Sequence, residues 1–267
     1  GYKVAVPDQR GYGGSSKPPH VDDYHIKKLT DDVDGIRAAL GYDDCIVIGQ
    51  DWGCVVAWIT ALRFPETCRA VMGLSVPFWR FNPAWIHPKG MDDQFWYMRY
   101  FQEQGVVEAE LDSDIERSLR VLYYGLSADS PPGTWMGMLN APKSSGFLDA
   151  LGPAGEFSSW LTEDDLQYYV GEYKKDGFRG PCNWYRNIPL AGEMMAELAN
   201  KRFTQPAAFA AGSDDDVLLY DENWRENFPG DFDDLRFIEI VDGAGHWVQA
   251  EAPAEVNKLI LRFLDSL

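Results

Sequence analysis

Between Tyr2 and Val76 the chain switches repeatedly between two hydrophobic periods, and this alternation limits the folds open to it. YKVAV (2–6), CIVIG (45–49) and CRAVMGLSV (68–76) are short, nearly continuous apolar runs of the kind that make strands buried on both faces. Between the first two, Ile26, Leu29, Val33, Ile36 and Leu40 recur three or four residues apart. That spacing predicts one helix over 22–40, stopped by Gly41. Residues 53–63 carry Val55, Val56, Trp58, Ile59 and Leu62 and end before Pro65, a second helix. Residues 8–19 (QRGYGGSSKPPH, from Gln9 on) form a Gly/Ser/Pro loop. Strands alternating with helices imply a mostly parallel sheet flanked by helices, an α/β architecture.

The rhythm breaks after Val76. Residues 77–200 contain no clear strand and are rich in Trp, Tyr, Phe, Met and acidic residues. The α/β pattern returns at PAAFAAG (206–212), a helix near 219–228, LRFIEIV (235–241) and a last helix over 253–266. The expected organisation is therefore a core made of 1–76 and 201–267, with a helical cap, 77–200, inserted into it. Ten Trp and an aromatic content of 14% point to an aromatic-lined cavity.

The net charge of −18 argues against nucleic acid and anionic membrane as partners, since both require a positive face. It is otherwise what a soluble acidic protein shows. No run of 18 apolar residues exists to span a bilayer. Cys45, Cys54, Cys68 and Cys182 show neither CxxC spacing nor metal-like clustering with the four His, and Cys45 and Cys54 read as small core residues. This usage fits a reducing, cytoplasmic compartment.

The strand CIVI runs into Gly49-Gln50-Asp51-Trp52-Gly53. Small residues two before and two after a central residue suit a sharp strand-to-helix turn that lifts the central side chain into the open. The following helix N-terminus favours negative charge there. A plain N-cap aspartate is the competing reading. As a nucleophile, a carboxylate is already an anion at neutral pH. It can displace a leaving group at saturated carbon directly and form an alkyl ester, which suits an epoxide or an alkyl halide.

Such an ester must then be hydrolysed, which calls for a histidine base and an acid to orient it. His246, in Gly243-Ala244-Gly245-His246-Trp247, lies between a predicted strand and the last helix. His20 and His87 adjoin prolines, and His25 falls on a predicted helix. The acid has three candidates, Asp214, Asp215 and Asp216, all just after the strand 206–211. On spacing alone any of them could serve.

These segments together resemble the soluble-type epoxide hydrolases of the α/β-hydrolase fold, over nearly the whole chain. DQRGYGGSSKP (8–18) is similar to the family's RGYG-S--P loop. GQDWG resembles its nucleophile segment, with Gln50 where the family usually has His. The nucleophile–acid–histidine order also matches. The resemblance implies Asp51 as nucleophile, Asp215 as the orienting acid in GSDDDV, and His246 as base. FWYMRYFQEQGVVEAEL (95–111) and YYVGEYKKDGFRGPCNWYRN (168–187 with Tyr168 first) resemble the two cap segments that carry tyrosines, which implies Tyr97 and Tyr185 as donors to the epoxide oxygen. Two phenols can stabilise and protonate the alkoxide formed on ring opening. Trp52 is expected to supply a backbone N–H to the oxyanion, and Trp52, Phe78, Phe95 and Trp247 to line the substrate pocket.

The expected reaction is hydrolysis of a small hydrophobic epoxide to a vicinal diol, with no metal and no cofactor. A haloalkane dehalogenase shares the Asp-Trp elbow but needs halide donors rather than a tyrosine pair. A non-catalytic binding protein of the same fold would need none of the five side chains. One departure stands out. The family's HG-x-P segment, which supplies half of the oxyanion hole, is not found; the sole His-Pro here is His87-Pro88, inside the cap. In the fold that the chain resembles, the strands 2–6 and 45–48 are separated by a strand that precedes both. The expectation is therefore that roughly 40–60 further residues lie upstream and supply that strand and the second N–H, the size of a few average strands and a helix.

Overall fold

The computed structural model describes residues 1–80 and 82–267. Helix α1 (Ile26–Ala39) leads to strand β1 (Cys45–Gln50), helix α2 (Trp52–Arg63) and strand β2 (Cys68–Leu74). Among the described residues eight α-helices follow before the next strand: α3 (Tyr97–Tyr100), α4 (Val106–Ser113), α5 (Ile115–Leu126), α6 (Thr134–Gly137), α7 (Phe147–Leu151), α8 (Glu163–Asp176), α9 (Arg179–Arg186) and α10 (Gly192–Leu198). The chain then forms β3 (Ala207–Gly212), α11 (Trp224–Asn227), β4 (Leu235–Val241), α12 (Val248–Glu251) and α13 (Pro253–Asp265).

The four strands make one parallel sheet in the order β1-β2-β3-β4. β3, AAFAAG, is buried along its whole length, as expected of a strand covered on both faces. One layer between sheet and helices is built on Trp58 of α2, which meets Phe203, Phe228 and Phe232 edge-on at 5.5–5.7 Å. Gly73 of β2 makes room for it, because a Cβ there would lie 2.2 Å from the Trp58 ring. On the other side, Met72, Ala208, Ala210, Val256 and Phe263 pack α13 against the sheet.

Several elements differ from the sequence reading. No strand forms at 2–6: that segment has no ladder partner among the described residues, and Val4 and Val6 are 77% and 90% exposed. Strands persist through their hydrogen-bonded neighbours, so apolar composition alone does not hold one in place. β1 is paired on one side, with β2. The first helix begins at Ile26 after a separate 3-10 turn (Val21–Tyr24), and the His25 ring caps it by accepting from the Lys27 N–H. The helix expected near 219–228 is broken into the 3-10 turns Asp216–Tyr220 and Phe228–Asp231 around the single turn α11. The Asp221 carboxylate takes the Asn223 N–H in a local turn, and Pro229 cannot continue a hydrogen-bonded helix.

The inserted helices are tied to the sheet by specific bonds. A Cβ on Gly180 of α9 would meet the Gly11 carbonyl at 2.4 Å, so the loop 8–19 and α9 touch backbone to backbone. Trp184 Nε1 donates to the Arg10 carbonyl at 3.0 Å, and the His246 N–H donates to the Leu126 carbonyl at 2.9 Å. No helix among the described residues is long and apolar enough to cross a membrane.

Candidate active site

The turn after β1 has unusual backbone geometry. Asp51 has φ 52° and ψ −123°, a conformation that costs a non-glycine residue energy and that persists only where the surroundings enforce it. Gly49 is one such constraint, since a Cβ there would lie 2.0 Å from the Gly53 carbonyl oxygen. Gly53 is less constrained than the sequence reading held: a Cβ there would make ordinary contact with Gln9 at 3.4 Å. Asp51 occupies the N-cap position of α2, yet its side chain makes no capping bond. It accepts instead from the Trp52 N–H and from His246.

The site gathers at the C-terminal ends of the parallel strands, where loops of an open α/β sheet converge. His246 follows β4 and is 1% exposed on its side chain. Its Nδ1 lies 3.1 and 3.0 Å from the two Asp215 oxygens, and its Nε2 lies 3.2 Å from Asp51 Oδ2. Asp215 follows β3 and also accepts the Val217 N–H. Its neighbours do other things: Asp214 is exposed, and Asp216 accepts from the backbone N–H groups of Gly133 and Trp135. Asp215 is thus the member of the acidic run whose carboxylate meets the imidazole.

Carboxylates at both ring nitrogens define the electrostatics. Burial alone would push the His246 pKa down, but Asp215 and then Asp51 outweigh it and raise it to about 10. Burial alone would raise the Asp51 pKa; the His246 hydrogen bond and charge, with the Trp52 N–H, hold it below the usual value instead. The two carboxylates thus hold His246 toward its protonated form. The Asp51 side chain remains 37% open.

That opening faces a cavity of about 1070 Å³ lined by Trp52, Phe78, Tyr97, Tyr185, His246 and Trp247, among others. Tyr97 comes from α3 and Tyr185 from α9, and their rings meet edge-on at 5.7 Å. Burial raises both phenol pKa values well above the ordinary range, and the Asp51 charge adds to this in each. The phenols therefore stay protonated and able to donate. Trp52 meets Tyr185 edge-on at 5.1 Å and hydrogen bonds to it. Phe95 does not line the cavity. It packs behind, against Tyr100 and Phe147, as part of the core of the inserted helices. Tyr100 is tied to Glu110 at 2.7 Å, away from this role. Among the described residues no group of three or more His, Cys, Asp and Glu could hold a metal ion.

Other residues at the site escaped the sequence reading. Gln50 Nε2 and Ser75 Oγ both donate to the His246 carbonyl, at 3.0 and 2.6 Å. The Glu251 carboxylate accepts the N–H groups of Gly245 and Trp247 and, from the inserted segment, that of Ala128. Together they fix the His246 loop on three sides. Tyr220 and Trp135 reach the site from afar in sequence. The one readable signal was Ser75, a small polar residue at the end of a strand.

Comparison with known proteins shows the family. Residues 1–253 match the family model described as the alpha/beta hydrolase fold. Epoxide hydrolase A of Mycobacterium tuberculosis is 38% identical over 272 residues, which cover all of this chain and 83% of that protein. The solved structure of an epoxide hydrolase from an endophytic Streptomyces superposes with a TM-score of 0.90 at 34% identity, covering 96% of this chain and 78% of that one. Epoxide Hydrolase A from Mycobacterium thermoresistibile gives 0.87 at 41% identity, covering 97% and 81%. On these matches the chain belongs to the epoxide hydrolases of the alpha/beta hydrolase fold.

Proposed function

We propose that the chain converts epoxides to vicinal diols in two steps, with Asp51 as nucleophile, His246 as base, Asp215 as its orienting acid, and Tyr97 and Tyr185 as donors to the epoxide oxygen. The observation that carries this reading is the Asp51 carboxylate on a strained turn, open to an aromatic-lined cavity and hydrogen-bonded to the buried His246. In the first step an Asp51 oxygen attacks an epoxide carbon, the C–O bond breaks, and one phenol passes its proton to the leaving oxygen. The result is an alkyl ester and a tyrosinate.

Esterification removes the Asp51 charge, so one of the two anions that raise the His246 pKa is lost. The imidazolium becomes more acidic and its proton returns to the tyrosinate. His246 is then neutral and can take a proton from water, which attacks the ester carbonyl carbon. The Trp52 N–H, already directed at this carboxyl group, supports the oxyanion. Collapse breaks the ester C–O bond, the diol oxygen takes up the proton left on the intermediate's hydroxyl, by way of His246, and the carboxylate–imidazolium pair is restored. Asp215 keeps the ring oriented in both steps.

In this reading residues 77–200 act as a lid over a core of 1–76 and 201–267 and contribute the tyrosines. Free thiols at all four cysteines support a cytoplasmic setting. The net charge of −18 supports neither nucleic acid nor anionic membrane as a partner. A dehalogenase or a purely binding role finds no support in the relatives described above. Turnover of styrene oxide, with no release of bromide from a bromoalkane, is the expected result. Bromide release, or binding of either compound without turnover, would overturn the proposal.

A further inference from the structure

Among the described residues, two that are not glycine have positive φ: Asp51 at 52° and Ser75 at 69°. The first is the proposed nucleophile. The second sits at the centre of a three-residue turn directly after β2, closed by the Val76 N–H donating to the Leu74 carbonyl at 2.8 Å. Such a turn with positive φ at its centre is rare and strained for a residue that has a Cβ. Neighbouring elements hold it in that form. The Ser75 N–H donates to the Ala210 carbonyl of β3 at 2.9 Å. The Val76 carbonyl accepts from Trp58 Nε1 at 3.1 Å and from Cys54 Sγ at 2.9 Å, both on α2. Glycine would relieve the strain, since it adopts positive φ without steric cost. The chain has a serine there, and its side chain is buried. Its hydroxyl has one hydrogen-bond partner among the described residues, the His246 carbonyl at 2.6 Å.

We infer that Ser75 is a positioning residue for ester hydrolysis: its strained turn aims the hydroxyl at the His246 carbonyl and so fixes where the imidazole stands. This rests on the proposed role of His246 as base. The His246 backbone is pinned at both of its polar groups. Its N–H donates to the Leu126 carbonyl, and its carbonyl accepts from Ser75 and from Gln50. Gln50 reaches that carbonyl through a long side chain, at 3.0 Å. The Ser75 oxygen stands on the Cβ of a locked backbone, so ordering it costs less side-chain freedom. The two proposed steps differ in what they ask of the ring. In the first, the Asp51 carboxylate attacks and the imidazole takes no proton. In the second, Nε2, 3.2 Å from Asp51 Oδ2 in the free site, must take a proton from a water aligned with the ester carbonyl. A small displacement of the ring loses that alignment.

The test combines single-turnover kinetics, which separate ester formation from ester hydrolysis, with urea midpoints for Ser75→Ala and Ser75→Gly. Both substitutions remove the hydroxyl, and glycine alone also relieves the positive φ. Ester hydrolysis is expected to slow roughly tenfold in both, the size of one hydrogen bond, while ester formation keeps its wild-type rate. The urea midpoint of Ser75→Gly is expected to lie above that of Ser75→Ala, so that hydrolysis follows the hydroxyl and not stability. Should Ser75→Ala fail to fold, Ser75→Gly still carries the kinetic comparison with wild type. Hydrolysis restored to the wild-type rate in Ser75→Gly would mean a merely structural role and overturn the inference. Parallel slowing of ester formation, or a midpoint no higher in Ser75→Gly than in Ser75→Ala, would overturn it as well. If His246→Gln hydrolyses the ester at the wild-type rate, the underlying reading of His246 fails, an outcome visible in a separate protein.

Discussion

His246 Nε2 lies 3.2 Å from Asp51 Oδ2, so the proposed nucleophile and base share a hydrogen bond before any substrate arrives. In the proposed mechanism, with Asp215 on the other ring nitrogen, loss of the Asp51 charge on esterification removes part of what holds the proton on His246. The proposed order of events follows from this pair: the carboxylate acts while the ring is protonated, and the ring acts once the carboxylate is esterified.

Replacing His246 by Gln should separate the two steps. The Asp51 carboxylate stays in place, so ester formation continues, while water has no base and hydrolysis stops. Intact mass after incubation with excess epoxide should show the protein heavier by one epoxide. An unmodified protein would mean that His246 is needed before the ester exists.

Stability should depend on pH through the same ring. The folded-state pKa of His246 is raised from 6.5 to about 10. Its stabilising contribution is then fully present below the unfolded value and is lost as pH rises through about 10. Melting temperatures of the wild type should decline over that alkaline window more steeply than those of His246→Gln. Parallel curves for the two proteins would show that the imidazolium is not held as described.

Loss of a tyrosine hydroxyl should act on the first step. Tyr97→Phe and Tyr185→Phe should each slow ester formation, and the double substitution should nearly abolish it. A preorganised donor in a comparable oxyanion site contributes roughly 2.7–4 kcal/mol, and one phenol can partly cover for the other. Rapid ester formation in the double variant would remove both from the mechanism.

The tyrosines depend on a buried ion pair. The Arg186 side chain, 3% exposed, bonds to both oxygens of Glu108 and to the carbonyls of Phe101 and Glu103. It thereby joins the end of α9, beside Tyr185, to the segment just after Tyr97. Arg186→Met leaves Glu108 with no countercharge and should cost about 3–5 kcal/mol, with slower ester formation in whatever protein still folds. An unchanged urea midpoint would show that the pair contributes nothing to holding α9.

Much of this site can be read from the sequence because its signals are local. The elbow at 49–53 announces itself by a strand, a glycine and a carboxylate within a few residues, and GAGHW marks the loop after β4 in the same way. Spacing left three aspartates equivalent; the resemblance selected Asp215, and its carboxylate is the one that meets His246. The misses have physical reasons. YKVAV has strand composition, but a strand exists only with a hydrogen-bonded neighbour, and this one has none among the described residues. Phe95 is expected to line the pocket, yet its ring packs against Tyr100 and Phe147. Tyr220, Trp135 and Tyr97 converge from distant positions, and no periodicity encodes a contact across 85 residues.

The central claim is that Asp51 forms a covalent ester, and the source of the diol's new oxygen tests it most directly. With enzyme in excess over epoxide, in water enriched in heavy oxygen, the diol of the first turnover should carry an unlabelled oxygen taken from the enzyme. Mass spectrometry of the peptide containing Asp51 should then find the label in that carboxylate. A labelled diol from the first turnover, with Asp51 unlabelled, would mean that water attacks the epoxide directly and would contradict the account.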